Sequence, residues 1–142
     1  MKTVNPSPAV SILLPEDVLE NYNDRVSSYW RKGDTCLLQM GSFLRESGTQ
    51  VGATQLLSER TVIHGTWKSL DLFRKPEGLE AAGAIMVDEQ GACWVQLYLV
   101  WQRLAVHVTV SRQGPLDACP WVWDSLASIR VVDSNASFFR GL

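Results

Sequence analysis

The sequence predicts an α+β fold: an antiparallel sheet with flanking helices. Three observations lead there. Residues 81–111 read as an antiparallel meander. Adjacent strand-like runs follow one another without regularly alternating helices, which argues against a doubly wound parallel sheet. Two segments, 15–30 and 120–129, open on proline and then space their apolar residues as a helix does.

The chain in order gives the following. Residues 1–8 read as a loose arm, because Pro6 and Pro8 sit in a polar stretch. Ala9 to Leu14 reads as a short strand that Pro15 ends. Pro15 to Trp30 is the clearest helix candidate. Glu16 and Asp17 suit its positive end, and Val18, Leu19, Tyr22, Val26, Tyr29 and Trp30 share one side. Gly33 supplies the stop. Thr35 to Leu44 alternates with both faces fairly apolar, as a central strand does. Arg45 to Gly48 is a polar turn. Thr49 to Arg60 reads as a second helix, weakened by Gly52. Thr61 to Lys68 alternates like a strand, and Arg74 to Gly78 is a turn.

The meander has the strongest pattern. Val95, Leu97 and Leu99 fall on one face, and Trp94, Gln96 and Tyr98 on the other. Leu104, Val106, Val108 and Val110 likewise oppose Ala105, His107, Thr109 and Ser111. This period of two marks strands. Asp88 to Gly91 fits a hairpin loop with Gly at a positive φ. Trp101-Gln102-Arg103 must also turn, although it lacks Gly, Asn or Pro, since one strand from 93 to 110 would be far too long. Pro120 starts a short helix with the stripe Val122, Leu126, Ile129. Arg130 to Val132 adds a last strand, and residues 133–142 read as a tail.

Length and composition set bounds on function. At 142 residues the chain forms one domain, large enough to fold without metals or disulfides. A net charge of -2 with interspersed signs argues against a nucleic-acid binder. No segment is apolar and long enough to insert into a membrane, and Pro6 and Pro8 interrupt any signal-peptide core. Cys36, Cys93 and Cys119 are odd in number and lack zinc-ligand spacing, so they read as buried thiols in a reducing compartment. The expected location is the cytoplasm.

Catalytic patterns are missing. There is no phosphate-binding loop, dinucleotide fingerprint or nucleophile elbow. No catalytic residue, metal ligand or cofactor is assigned. His64 and His107 read as ordinary strand histidines. The unusual feature is six tryptophans, too many to bury without partners for their indole N–H groups. Tryptophan is enriched at binding hot spots. Trp121, Trp101, Trp94 and Tyr98 are therefore the candidate protein-binding residues. Trp121 and Trp123 lie about 200° apart on a helix, and Trp121 is expected to be the more exposed.

The order of elements resembles the PsbP-like α/β fold. The end of the chain carries the closest part: Arg103-Leu104-Ala105-Val106-His107-Val108-Thr109-Val110-Ser111, then Trp123-Asp124-Ser125-Leu126-Ala127-Ser128-Ile129-Arg130. It resembles the final strand and helix of Eag-type chaperones, cytoplasmic proteins that hold type VI secretion effectors. The resemblance implies a PsbP-like sandwich, a protein partner, and no catalytic residues or cofactor. The leading expectation is a non-enzymatic protein-binding module, such as a secretion-effector chaperone or cognate immunity protein, with a homodimer as one possible assembly. The rival is a small-molecule binder or enzyme with a pocket between sheet and helix, where Tyr98, His64 and His107 would supply polar contacts.

Overall fold

The computed structural model describes residues 1–45, 51–61, 67–70, 78–115, 119–131 and 136–137, with the side chains of 60, 61, 136 and 137 excepted. The elements in order are β1 (Lys2–Ser7), β2 (Val10–Leu14), β3 (Leu19–Asn23), β4 (Val26–Trp30), β5 (Leu37–Leu44), α1 (Ala53–Thr61), β6 (Lys68–Ser69), β7 (Leu79–Val87), β8 (Cys93–Trp101), β9 (Leu104–Arg112), α2 (Pro120–Ala127), β10 (Arg130–Val131) and β11 (Ala136–Ser137). A seven-stranded sheet runs β3-β4-β5-β9-β8-β7-β6, and a four-stranded sheet runs β1-β2-β10-β11. Every strand pair is antiparallel.

The meander forms as its alternation requires. In the β7–β8 loop, Asp88 Oδ1 accepts from the N–H groups of Gln90 and Ala92 at 2.9 and 2.8 Å, and Gly91 takes φ +85°. The β8–β9 turn is two residues, Gln102 and Arg103, closed by the pair Trp101–Leu104. Gln102 takes φ +52°, at the position of a type II′ turn where glycine is usual.

The helix expected over Pro15 to Trp30 is instead the β3–β4 hairpin. Pro15 opens a turn that the Val18 N–H closes on its carbonyl at 3.1 Å. Asp24 and Arg25 then take φ +50° and +65°, the signature of a type I′ turn, and Asn23 pairs with Val26. Helical and strand spacing overlap in so short an apolar set. The β-branched and aromatic Val26, Tyr29 and Trp30 gain more by joining a large sheet than by standing as a helix. The loose arm expected over residues 1–8 is also corrected, because Lys2–Ser7 is a strand paired to β2. Of the strand expected over Thr61 to Lys68, Thr61 ends α1, residues 62–66 lie outside the described residues, and β6 holds only Lys68–Ser69. The polar turn at 45–48 and the tail at 133–142 fall mostly outside them too.

The seven-stranded sheet has two faces with different cover. On one face Leu38, Met40, Val95, Leu97, Leu99, Val106, Val108 and Val110 form a single buried cluster with Ile12, Leu14, Val122, Leu126, Ile129 and Val131 from β2, α2 and β10. Each such aliphatic contributes roughly 1.5–3 kcal/mol by leaving water. The stripe of Val122 and Leu126 is thus buried as its spacing requires, and Ile129, expected on the helix, lies just past its end at Ala127 but joins the same core. On the other face α1 sets Ala53, Leu56 and Leu57 against Tyr98, Val100 and Ala105. Among the described residues, no helix is long and apolar enough to cross a membrane.

Candidate functional site

Among the described residues, α1 covers only part of its face of the large sheet, and the side chains of the rest form cross-strand rows. One row is apolar. Leu19 pairs with Trp30, Leu37 with Ser111, Ser111 with Trp94, and Trp94 with Met86. The register that matches Tyr29 with Leu38 brings Trp30 beside Leu37. The row therefore crosses six strands. Leu19 is 47% exposed, and Trp30, Leu37, Trp94 and Met86 are half-buried.

The adjacent row is polar. Asn21, Ser28, Gln39, Thr109 and Gln96 follow one another across β3, β4, β5, β9 and β8. Gln39 Nε2 donates to Ser28 Oγ at 3.1 Å. Gln96 Oε1 lies 2.6 Å from His107 Nε2, and the His107 ring stacks on Tyr98 with centroids 4.4 Å apart. A third row, Gly41, His107, Tyr98 and Ala82, runs into the part that α1 covers. An apolar stripe beside a stripe of amides and hydroxyls can hold an amphipathic partner, with area from the first and orientation from the second.

The sequence-predicted residues separate. Trp94 lies on the open face beside Gln96 and Met86, and these three with Trp67 line a shallow recess. Tyr98 shares the face but is buried under α1 at 3% exposure, so it offers no contact surface. Trp101 belongs to the opposite face, where it packs against the main core and its ring lies over Gly78. Trp121 is the clearest reversal. It is buried at 7%, whereas Trp123 is half-buried. Its indole Nε1 reaches Asp34 Oδ2 at 3.4 Å, and this polar partner draws Trp121 inward. Trp30 and Leu19 were missed because residues 15–30 read as a helix, whereas Leu37 sits on the strand expected over Thr35 to Leu44 and was missed because its face was not assigned. The dipeptide Asn23-Asp24, a turn signal inside that helix, was the available clue.

A titratable cluster lies elsewhere, where the loop before β5 meets the start of α2. Asp34 Oδ2 accepts from Cys119 Sγ at 2.7 Å, and Oδ1 accepts from the Cys36 N–H at 3.0 Å. Arg112 Nε lies 3.4 Å from Oδ1. Burial pushes the Asp34 carboxyl up, but the hydrogen bonds from Cys119, Cys36, Trp121 and Arg112 together hold it below its ordinary value. Burial, reinforced by neighbouring Cys119 and Asp34, pushes the Cys36 thiol up to about 12. Burial and the bond to Asp34 raise Cys119 as well. Both sulfurs are thus held as thiols, the opposite of what a nucleophile needs. All three cysteines are buried and free of disulfides. Asp34 fastens three segments together, and no group of described residues has the makings of a metal site. His64, proposed as a polar contact, lies outside the described residues.

No family model and no curated protein matches the chain. Among solved structures it is similar to a protein of Bacteroides thetaiotaomicron determined at 1.50 Å. The TM-score is 0.55 at 12% sequence identity over 89% of this chain. The match spans 47% of that longer chain, and it is a likeness of fold.

Proposed function

We propose that this chain is a non-enzymatic protein-binding module with a PsbP-like sandwich architecture, of the kind that effector chaperones and cognate immunity proteins represent. The observation that carries the reading is the row Leu19, Trp30, Leu37, Trp94 and Met86 on the open face, flanked by the polar row from Asn21 to Gln96. Half-buried tryptophans beside a polar row are what a protein anchor requires. The state of the Cys36 and Cys119 thiols supports a binding role over thiol chemistry, and buried cysteines outside any disulfide suit a reducing cytoplasm. The space between sheet and α1 is filled by Leu56, Leu57, Tyr98, Val100 and Ala105, which weighs against a ligand pocket there.

The test is recovery of native complexes from source cells with wild-type protein and with Trp30→Ala/Trp94→Ala. A hot-spot loss of about 2 kcal/mol corresponds to roughly thirty-fold weaker binding of the captured partner. Equal recovery by wild type and a folded double variant would sink the assignment of this face, and capture of no partner at all would sink the function.

A further inference from the structure

Among the described residues, the free edge of β3 differs from the β1 and β6 edges. The β1 edge of the smaller sheet is blunted by Lys2, by Pro6 and by a break in register between Val4 and Ser7. At the far side of the large sheet, β6 is only two residues long. By contrast β3, Leu19–Asn23, is exposed at all five residues and contains neither lysine nor proline. Tyr22 is 65% exposed on it. Natural proteins usually protect such an edge, and an unprotected one is a template for pairing.

The register inside the hairpin fixes which backbone groups face outward. The turn-flanking pair Asn23–Val26 exchanges hydrogen bonds, and in an antiparallel ladder bonded and non-bonded positions alternate. Leu19, Asn21 and Asn23 therefore bond to β4, and Glu20 and Tyr22 turn their N–H and C=O groups to the free edge. The Val18 carbonyl, next in that series, is taken by Lys2 Nζ at 2.7 Å.

We propose that β3 pairs with β3 of a second copy about a two-fold axis centred on Asn21, joining the two large sheets. Outward groups must meet outward groups, so only a few registers are open. A register centred on Glu20 sets two carboxylates opposite each other. One centred on Tyr22 sets Glu20 against Asp24. The register centred on Asn21 places Glu20 opposite Tyr22 and Asn21 opposite its own copy, and beyond the strand ends it brings the turn residue Arg25 toward Asp17, a carboxylate that Arg31 also holds at 2.7 Å. Like charges are thus separated and unlike charges meet. Because such an axis stands normal to the sheet, the open faces of the two copies lie side by side. The inference needs only the β3 edge and holds whether or not the open face takes a protein partner.

The residue on the axis faces its own copy, which makes the register testable. Sedimentation equilibrium should find wild type dimerising with Kd on the order of 10 µM, as fits an interface at the small end of the range. Asn21→Asp and Asn21→Lys each place like charges across the axis and should weaken the dimer at least ten-fold. An equimolar mixture of the two variants should restore it. Asn21 is exposed and bonds to β4 through its backbone alone, so far-UV circular dichroism should be unchanged. If either variant fails to fold, Tyr22→Pro reports on the same edge, because it deletes one outward N–H and no bond to β4. A wild type that stays monomeric to millimolar concentration would overturn the proposal. So would folded variants that dimerise like wild type.

Discussion

Removing the Asp34 carboxylate tests how three segments of the chain are held together. Asp34→Ala strands the Cys36 N–H, bonded at 3.0 Å, and the Cys119 thiol, bonded at 2.7 Å. An orphaned, partly buried N–H costs about 1–2 kcal/mol, and a thiol, being a weak donor, costs less than about 1. The Trp121 and Arg112 contacts are both 3.4 Å long and add little. The expected loss is about 1–3 kcal/mol, or roughly 3–10 °C in Tm for a domain of this size. Urea unfolding followed by far-UV circular dichroism at pH 7 measures it. Asp34→Asn keeps one acceptor and should lose about half as much. The sign of the pH dependence follows from the carboxyl lying below its ordinary 3.8 in the folded protein. The ionised form then favours folding. Its contribution is complete above 3.8 and drains away as pH falls through the folded value. The gap between wild type and Asp34→Asn should therefore close in acid. An Asp34→Ala protein within about 0.5 kcal/mol of wild type at pH 7, or a gap that ignores pH, would refute the account.

Two further outcomes follow from burial. Trp121→Ala should cost about 3–5 kcal/mol, because it empties a site beside Val122 and Asp34, and Trp123→Ala should cost less. Comparing their urea midpoints checks this, and equal losses would contradict the faces assigned to α2. An aromatic disulfide reagent should label the folded protein's thiols far more slowly than the urea-unfolded chain's. Rapid labelling of Cys36 in the native state would contradict its burial.

The meander was legible because its signal is local and repeated: period-two alternation, an Asp-Glu-Gln-Gly loop, and more apolar residues than a helix of that length could bury. The C-terminal helix was legible from Pro120 and its stripe. The β3–β4 hairpin was not. Its turn uses Asp24 and Arg25 at positive φ where glycine or asparagine would have announced it. The five apolar residues around it fit either period. Two of the five apolar residues of the open face were lost with that hairpin, since Leu19 and Trp30 come from it. The inward turn of Trp121 was hidden for a different reason. It depends on Asp34, far away in sequence, and helical geometry alone says nothing about a polar partner beneath the helix.

The pairing of β2 with β10 has a consequence for synthesis. Leu13 and Ser128, linked by an N–H to Oγ bond of 2.8 Å, are 115 residues apart. Val10, Ile12 and Leu14 are fully covered only when α2 and β10 arrive. On the ribosome, the β1–β2 hairpin therefore emerges with its apolar side exposed, and the large sheet can cover only part of it before α2 and β10 are made. Loop closure over such a distance is slow. During that interval the nascent hairpin presents to solvent apolar surface that the finished protein covers.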